Sequence, residues 1–281
     1  MRFLRSIQGK LFVAFLTVVL IPLIGTGLYG NWITSRIIEE RVIESARSNV
    51  EQHAQQIAGF LESVRGDVLY LAHLDSLQRL LQARAQGDDE GVAYWRTQLA
   101  RDFLIFSAAR PTYYQVRYLD ETGREVVRVD SDGRLSRIIP QDKLQDKSHR
   151  YYFQETIKLG PGEIYVSPLD LNREHGQIEV PYRPVIRYAT PIYVGNALRG
   201  IVIINVYADY FLRFLYEQGP QKGMLLMVDQ DGYYLAHPDP TRRWGGPVDL
   251  NTEYGLWRDY PDAASQVLSG QEGTFISGDQ A

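Results

Sequence analysis

The first hydrophobic segment of the chain is long and uncharged. There is no charged residue between Lys10 and Arg36. The apolar run Leu11–Ile33 is long enough, at a rise of about 1.5 Å per residue, to cross a hydrocarbon core about 30 Å thick. Tyr29 and Trp32 near its end are typical of the aromatic belt at a membrane interface. The pattern predicts a transmembrane helix over residues 11–33.

A cleaved signal peptide is the alternative interpretation, with Arg2, Arg5 and Lys10 as its charged start. The apolar run is long for that purpose, and no clear A-x-A cleavage site follows it. Basic residues on the two sides of the run are nearly balanced, so the positive-inside rule leaves the orientation open. We expect residues 1–10 to be a cytoplasmic tail. The bulk of the chain would then be extracytoplasmic, anchored in the inner membrane of a bacterium.

A helical period follows over residues 34–85, which contain no proline. Apolar residues recur there every seven positions, with further ones four positions on: Ile43, Val50, Ile57, Val64 and Leu71, and Ala54, Leu61 and Val68. This apolar seam predicts a long stalk helix. The seam would either pair with its copy in a homodimer or pack against its own domain. Both interpretations stay open on different faces, and we expect a homodimer through the stalk.

The period changes to that of strands after a second helix, which follows Gln86–Gly91 and ends before Pro111. Thr112–Leu119 and Arg124–Asp130 read as the two arms of a hairpin around the turn Asp120–Gly123. More strands and a short helix are predicted downstream: strands at Glu163–Ser167, Gln177–Tyr193 and Arg199–Tyr207, and a helix at Phe211–Gln218.

The strand–turn–strand pattern occurs a second time. Met224–Val228 and Tyr233–Ala236 flank the turn Asp229–Gly232, and the aspartate and glycine of the two turns are separated by one identical offset. A repeat of this kind predicts two copies of one α+β module. We assign residues 86–218 to a membrane-distal module and residues 219–281 to a membrane-proximal module that is incomplete.

Several segments, in this order, resemble the double Cache (tandem PAS-like) sensor regions of bacterial receptors, most of all those of sensor histidine kinases. They are YYQVRYLDETGREVVRV (113–129), SHRYYF (148–153), PYRPVIRYATPIY (181–193), GIVIINVYADYFL (200–212) and VDQDGYYLAHPD (228–239). The resemblance covers nearly the whole chain. It implies an α+β fold with a transmembrane helix, a stalk helix and two tandem PAS-like antiparallel-sheet modules, the second incomplete. It also implies signal transduction in response to a small-molecule ligand.

The resemblance implies a ligand pocket in the membrane-distal module, between the sheet and the loops and helix covering it. Arg150 matches the arginine of the family's amino-acid-binding motif R-x-W-Y, whereas Tyr152 and Phe153 stand at its aromatic pair. Leu169 and Asn205 stand where that motif continues with a tyrosine and an ammonium-binding aspartate. Without that carboxylate, little would compensate the desolvation of an ammonium group. An ordinary α-amino acid is therefore disfavoured.

Arginine is concentrated in the first module, at Arg117, Arg128, Arg150, Arg183 and Arg187. A planar guanidinium suits carboxylates, so several arginines at one cavity would favour an anionic ligand such as a small organic acid. The alternative is that they pair on the protein surface with the chain's own carboxylates, at Asp120, Glu125, Asp130 or Glu179. We predict the following ligand-binding residues, including tyrosines suited to pocket walls: Arg150, Tyr152, Arg117, Arg187, Tyr114 and Asn205.

Composition and motifs argue against other classes of function. The net charge of −4 disfavours a nucleic-acid binder, and the absence of cysteine removes thiolate metal sites and cysteine nucleophiles. His53 and His73 are not spaced as a zinc pair, and the sequence contains no GxxxxGK[ST], GxSxG or HExxH motif. We therefore expect no metal, no cofactor and no catalysis within these residues.

The output of the receptor is left open by this region. A longer parent would be a histidine kinase of a two-component system. The alternatives are a chemoreceptor, a diguanylate cyclase, or a membrane-tethered binding protein without its own output domain. A membrane-anchored hydrolase would need a nucleophile–base pair, and none stands out in the sequence.

Overall fold

The computed structural model describes residues 7–174, 176–216 and 224–273. Its helices are α1 (Ile7–Ala72), α2 (Asp75–Gln86), α3 (Asp89–Ala109), α4 (Tyr151–Thr156), α5 (Asp209–Tyr216), α6 (Leu256–Asp259) and α7 (Pro261–Leu268). Its strands are β1 (Tyr113–Leu119), β2 (Glu125–Ser131), β3 (Ser136–Ile138), β4 (Tyr165–Val166), β5 (Asp170–Leu171), β6 (Arg173–Glu174), β7 (Gln177–Ile178), β8 (Pro184–Val194), β9 (Ala197–Tyr207), β10 (Met227–Val228) and β11 (Tyr234–Ala236). The predicted α+β class is confirmed.

The chain divides into two compact units, residues 1–52 and residues 53–281. In the first unit, the predicted segment 11–33 is helical throughout as part of α1. Its most apolar window of 18 residues has a mean hydropathy of 2.5, and none of it is buried. Pro22 lies inside the helix, and the hydroxyl of Thr26 donates to the Pro22 carbonyl at 2.8 Å. Length and composition therefore suit a membrane span.

The predicted stalk helix over residues 34–85 is interrupted. α1 ends at Ala72, Leu74 has an extended backbone (φ −59°, ψ 135°), and a separate helix begins at Asp75. In one straight helix Leu80 would lie about 13 Å beyond Leu71. The break instead places both leucines in the same fully buried core. The one-helix prediction was therefore wrong beyond residue 72, because it ignored this packing requirement.

The seam of α1 packs into its own domain at its C-terminal end. Val64, Val68 and Leu71 are fully buried in the core together with residues of α2, α3 and the sheet. The interpretation of packing against the domain is therefore confirmed for this part of the seam. In the first unit, Val50 is 52% exposed. Pairing of this part with a second copy stays a prediction.

The main sheet is antiparallel, with strand order β3-β2-β1-β9-β8-β4 and with β5 also paired to β8. The strand predicted at Gln177–Tyr193 is shorter than expected, because β8 begins only at Pro184. Pro181 and Pro184 have no N–H group for a ladder, which favours a late start. Residues 177–178 pair instead with β6 in a separate two-stranded ribbon.

The two faces of the main sheet differ in chemistry. One face is apolar and packs against α1, α2 and α3, through residues that include Val116, Tyr118, Val129, Val202 and Ile204. Side chains alternate along a strand, so the intervening residues lie on the other face. The register places Gln115 opposite Asn205, Asn205 opposite Arg187, and Arg117 opposite Arg128. This second face, covered by α4 and the loops around it, is therefore polar around these residues, whereas Leu119, Ala189, Ile201 and Ile203 form an apolar patch beside them under α4.

The internal repeat is reproduced in detail. In each turn, a side-chain oxygen of the aspartate accepts hydrogen bonds from the backbone N–H groups two and four residues on. The distances are 2.9 and 3.1 Å at Asp120, and both are 2.9 Å at Asp229. Gly123 and Gly232 adopt φ of +88° and +86°, which favours glycine. In both turns, the carbonyl of that glycine accepts a backbone hydrogen bond at 2.8 Å from a residue further along the chain, Lys147 in the first turn and Leu256 in the second.

The second module contains the two-stranded sheet β10–β11 and a small core of Tyr234, Leu256 and Ala264. It also contains the helices α6 and α7. The predicted boundary between the modules, at residues 218 and 219, lies outside the described residues. So do the last two residues of the helix predicted at 211–218. The division of the chain at that boundary stays a prediction.

Candidate functional site

The polar face of the main sheet carries two arginines that are almost completely buried. The exposed fractions are 2% for Arg117 and 1% for Arg187. Burying a cation is strongly unfavourable unless it is paired and hydrogen-bonded. The partners of these guanidinium groups therefore define what the site can hold.

Arg117 is held by neighbours on three elements. Its terminal nitrogens donate to Glu125 at 3.3 Å, to the Tyr152 hydroxyl at 3.3 Å and to Asn205 Oδ1 at 2.8 Å. The Glu125 side chain is fully buried and also accepts the backbone N–H of Gln145 at 3.0 Å. Within the described part of the chain, Nε of Arg117 has no hydrogen-bond partner.

Arg187 has a similar environment on the neighbouring strand β8. It donates to Asp170 at 2.6 Å, to the Tyr151 hydroxyl at 2.9 Å and to Asn172 at 3.4 Å. Its Nε is also buried without a partner among residues 7–174, 176–216 and 224–273. Each of the two buried guanidinium groups therefore retains one donor that the described protein does not use.

Both ends of the Asn205 side-chain amide are engaged within the chain. Its carbonyl oxygen accepts from Arg117, and its amide nitrogen donates to Gln115 Oε1 at 3.0 Å. An asparagine can bridge these two side chains because it offers both a donor and an acceptor. An aspartate there would lack the donor to Gln115.

Tyr152 lies at the centre of three guanidinium groups. The carbon atoms of the Arg117, Arg150 and Arg187 guanidiniums are 5.5, 5.7 and 5.4 Å from its ring centroid. Arg150 is the N-cap residue of α4 and is partly buried. No carboxylate of the described residues is within ion-pair distance of it. The first turn of α4 thus places Arg150, a cation without a carboxylate partner among the described residues, near the buried Arg117 and Arg187.

Tyr114 lies in a neighbouring network. Its hydroxyl donates to Glu179 at 2.8 Å, and Arg183 lies 5.0 Å from its ring centroid. Burial, followed by the hydrogen bond to Glu179, raises the pKa of Tyr114 well above its usual value. Asn172 donates to the same carboxylate at 2.9 Å and so links this network to Arg187. The Tyr114 hydroxyl is therefore engaged by Glu179 rather than by the arginines around Tyr152.

Four of the five arginines pair with the chain's own carboxylates: Arg187 pairs with Asp170, which was not among the predicted partners, and the other three pair with predicted carboxylates. These three pairs are Arg117 with Glu125, Arg128 with Asp130 and Arg183 with Glu179. The first two pairs are largely buried rather than on the surface. Asp120 instead accepts hydrogen bonds within its own turn.

The sequence did not reveal Glu174, which the structure places in the middle of the polar face. Its carboxylate accepts hydrogen bonds from Gln115 at 3.0 Å, Arg128 at 3.0 Å and Gln145 at 3.2 Å, and Lys147 lies 3.6 Å away. Burial by itself would raise the pKa of Glu174, but Arg128, Lys147 and the Gln115 amide lower it to about 2. Glu174 lies in a short ribbon without strand periodicity, so no local pattern marked it.

Two surface cavities adjoin these side chains. One of about 510 Å³ is lined by residues that include Arg128, Gln145 and Glu174. The other, of about 460 Å³, is lined by Gln145, Lys147 and Arg150 among others. Gln145 lines both cavities, so each lies next to the charged side chains of the polar face.

The residues matched to a known family cover most of the chain. Residues 74–281 match the family described as the sensor domain of bacterial histidine kinases. The chain belongs to that family. No curated protein sequence matches the chain. The sensor domain is extracytoplasmic, as expected, and the family gives no indication of catalysis within it.

Two solved structures with TM-scores above 0.7 support the fold of this sensor domain, and a third is less similar. A domain of a sensory box/GGDEF family protein from Vibrio parahaemolyticus is 24% identical, with a TM-score of 0.72 over 84% of this chain and 88% of that chain. The extracellular domain of the histidine kinase vpHK1S-Z8 is 24% identical, with a TM-score of 0.71 over 84% of each chain. The ligand-binding domain of the Campylobacter jejuni chemoreceptor Tlp3, solved with 4-methylisoleucine, is 16% identical, with a TM-score of 0.46 over 71% of this chain and 68% of that chain.

Charges on the polar face of the sensor domain are not balanced. We use the name polar cluster for five cations and four carboxylates of the described residues: Arg117, Arg128, Lys147, Arg150 and Arg187, with Glu125, Asp130, Asp170 and Glu174. One cation therefore remains without an equivalent carboxylate. The polar cluster is suited to bind an anion.

Proposed function

We propose that this sensor domain serves a transmembrane histidine kinase and binds a small anionic ligand, a carboxylate, at the polar cluster of its first module. The supporting observation is the excess of cations, with Arg150 lacking a carboxylate partner among the described residues. The unused Nε donors of Arg117 and Arg187 add capacity for an anion. Charge-assisted hydrogen bonds from arginine are strong and directional.

A cationic amine fits the polar cluster poorly. Each carboxylate of the cluster already contacts an arginine, and both ends of the Asn205 amide are engaged. An ammonium group would have to break one of these buried pairs, which is costly. We therefore expect carboxylates without an α-amino group to be the preferred class.

The route to the rest of the protein begins with the segment 170–174, which we call the strap. Three of its side chains face the polar cluster or its partners: Asp170, Asn172 and Glu174. Its other two residues contact the second module, since the Leu171 N–H donates to Asp249 at 2.8 Å and Arg173 donates to the Val248 carbonyl at 2.6 Å. Leu171 also shares a core with partly buried residues of α1, including Phe60 and Leu61.

We expect a ligand to act by favouring one of two arrangements of the strap. A ligand shifts such an equilibrium only by its difference in affinity for the two states, and a few kcal/mol is enough. The family match favours a histidine kinase as the parent over a chemoreceptor, a diguanylate cyclase or a tethered binding protein. The membrane would be the inner membrane of a bacterium.

The test is a thermal-shift screen of the full chain in detergent, followed by intrinsic tryptophan fluorescence. The panels are small mono- and dicarboxylates, amino acids, and amines, each at matched ionic strength. One carboxylate class should raise the unfolding midpoint by about 5 °C or more when present at about 100 times its Kd. Amines should have no effect.

Arg150→Ala should fold normally and lose most of that shift. Arg101→Ala is the matched control, because Arg101 is an exposed arginine of α3. It should keep the full shift. Stabilisation by amines, or no response to any carboxylate in a folded chain, would contradict the proposal.

We also propose that the first unit forms a homodimer through the seam of α1. The chain contains no cysteine, so a single introduced cysteine reports unambiguously. Val50→Cys lies on the seam and should form a disulfide-linked dimer in membranes on mild oxidation. Gln52→Cys, about 200° around the helix, should cross-link far less. Equal cross-linking of the two variants would argue against this pairing.

A further inference from the structure

Four donors of the polar face converge on a single carboxylate that the chain itself supplies. Gln115 comes from β1 and Arg128 from β2, whereas Gln145 and Lys147 come from the loop before α4. All four lie within 3.0–3.6 Å of Glu174, in hydrogen-bond or ion-pair contact. The exposed fractions of Gln115, Arg128 and Lys147 are only 1%, 6% and 5%. This is a built anion site rather than a surface ion pair.

We infer that Gln115, Arg128, Gln145 and Lys147 form a carboxylate-binding subsite that Glu174 occupies, and that the carboxylate of an anionic ligand binds there by displacing Glu174. This inference rests on the proposed function, since it specifies where the ligand's carboxylate binds. It assigns to Glu174 the role of a tethered competitor.

The location of Glu174 allows displacement without disruption of the fold. It lies on β6, which among the described residues pairs only with β7, in a ribbon of two residues per strand that is separate from the main sheet. Withdrawing it would therefore leave the ladders around β1, β9 and β8 intact. The cavity of about 510 Å³ adjoins Glu174, Arg128 and Gln145, and so gives a ligand access to the subsite.

Charge explains why a carboxylate would replace Glu174. Without Glu174, the polar cluster would hold five cations and three carboxylates of the described residues. Like charges repel strongly in an environment from which water is largely excluded. A bound carboxylate restores the previous balance, and a neutral or cationic ligand does not.

Displacement of Glu174 by a ligand would also move the end of the strap. Glu174 is the last residue of the strap, and Arg173 beside it donates to the Val248 carbonyl of the second module. Movement of Glu174 out of the subsite would therefore act on a residue that the second module holds. Exchange of Glu174 for the carboxylate of the ligand would in this way transmit the binding event to the second module.

Acetate is the probe, because it reproduces the head group of Glu174 alone. Glu174→Ala should unfold at a temperature about 4–8 °C lower than the wild type in chloride buffer. About 0.1 M acetate at the same ionic strength should restore at least half of this loss, and its apparent affinity should be about tenfold higher than for the wild type. Glu155→Ala, which removes an exposed glutamate on α4, should show no acetate rescue.

Two further variants keep the test decisive. In Glu174→Ala/Gln115→Ala the acetate rescue should be lost, because one donor of the subsite is missing. If Glu174→Ala does not fold, Glu174→Gln preserves the side-chain shape and should still bind acetate more tightly than the wild type. Equal acetate affinity in the wild type and in a folded Glu174 variant would overturn the inference.

The outcome is separable from that of the proposed function. Acetate rescue of Glu174→Ala supports the subsite even where no carboxylate of the screen stabilises the wild type. A carboxylate that stabilises the wild type, together with no acetate response in the Glu174 variants, would overturn the subsite and leave the proposed function intact.

Discussion

The two faces of the main sheet are formed by the same strands but bury different kinds of side chain. One face is apolar and packs against three helices, through fully buried residues such as Val116 and Val129. The other face buries the polar cluster, although replacing a buried ion pair with apolar residues is often neutral or stabilising. A face selected for stability alone would not need these charges. The difference indicates that the apolar face holds the domain together and that the polar face serves binding.

The largest loss of stability is expected from a substitution in the core against the apolar face. Phe103 of α3 is fully buried in the core against this face. Phe103→Ala should lower the free energy of unfolding by about 4 kcal/mol, because it removes buried contacts and leaves a cavity. Urea unfolding followed by tryptophan fluorescence measures this. Ile105→Ala, at a position 69% exposed on the same helix, should change stability by less than about 0.5 kcal/mol.

Carboxylate binding by folded Phe103→Ala, measured well below its unfolding midpoint, should equal that of the wild type. A selective loss of carboxylate binding would contradict the assignment of stability to the apolar face and of binding to the polar face.

Removing one partner of a buried pair on the polar face should have the next largest effect. Arg117→Met leaves the fully buried Glu125 without its partner at 3.3 Å. We expect a loss of about 3 kcal/mol, at the low end for such pairs because Arg128 remains 3.7 Å from Glu125. The same urea titration measures it.

The double variant Arg117→Met/Glu125→Gln distinguishes stability from binding. It should recover part of the lost stability, since no uncompensated carboxylate is buried, but it should not recover the carboxylate response. Recovery of both would show that Arg117 contributes to the fold only.

The pH dependence of stability tests the environment of Glu174. Its pKa of about 2 lies below the usual value of 4.5, so its ionised form stabilises the fold. The contribution is complete above about pH 4.5 and is lost as the pH falls toward 2. With a discount for partial exposure, it amounts to about 2 kcal/mol. The stability difference between wild type and Glu174→Gln should therefore be constant from pH 8 to 5 and shrink below pH 4.5.

A difference between wild type and Glu174→Gln that changes between pH 5 and 8 would contradict this environment. It would mean that Glu174 titrates in the neutral range and is not held by the donors of the polar face.

The smallest change in stability is expected at Asp249, which contacts the strap from the second module. Burial raises the pKa of Asp249 from 3.8 to about 6, and the hydrogen bond from the Leu171 N–H opposes the shift only in part. The ionised form is therefore disfavoured in the folded state, and the penalty develops as the pH rises from 4 to above 6. Asp249→Asn keeps an acceptor for Leu171 and should stabilise the protein at pH 7 by about 1 kcal/mol, discounted for exposure. The gain should vanish at pH 4, which thermal melts at the two pH values measure.

Local features of the fold could be predicted from the sequence, whereas contacts distant along the chain could not. The two turns with Asp120 and Asp229 were predictable because their hydrogen bonds lie within five consecutive residues. The break at Leu74 depends on packing against residues distant along the chain. The late start of β8 is an exception, because Pro181 and Pro184 mark it locally and were not weighed against the strand-like pattern. Periodicity alone revealed neither the break nor the late start.

The same distinction applies to the site. Arg117, Arg187, Asn205 and Tyr152 were predicted from composition and resemblance, and the structure brings them into contact. Glu174 was missed because its donors lie 27 to 59 residues away along the chain. Its short ribbon gives no periodic signal. Tyr114 was predicted with the others, but its partner is Glu179.

Carboxylate binding by the polar face of the first module is tested most directly by calorimetric titration of the full chain in detergent, with the carboxylate that gives the largest thermal shift. We expect one site per chain in the wild type, and binding at least about tenfold weaker, or about 1.4 kcal/mol, in Arg150→Ala. Equal affinity in the wild type and Arg150→Ala, or no binding of any carboxylate by the folded chain, would contradict it.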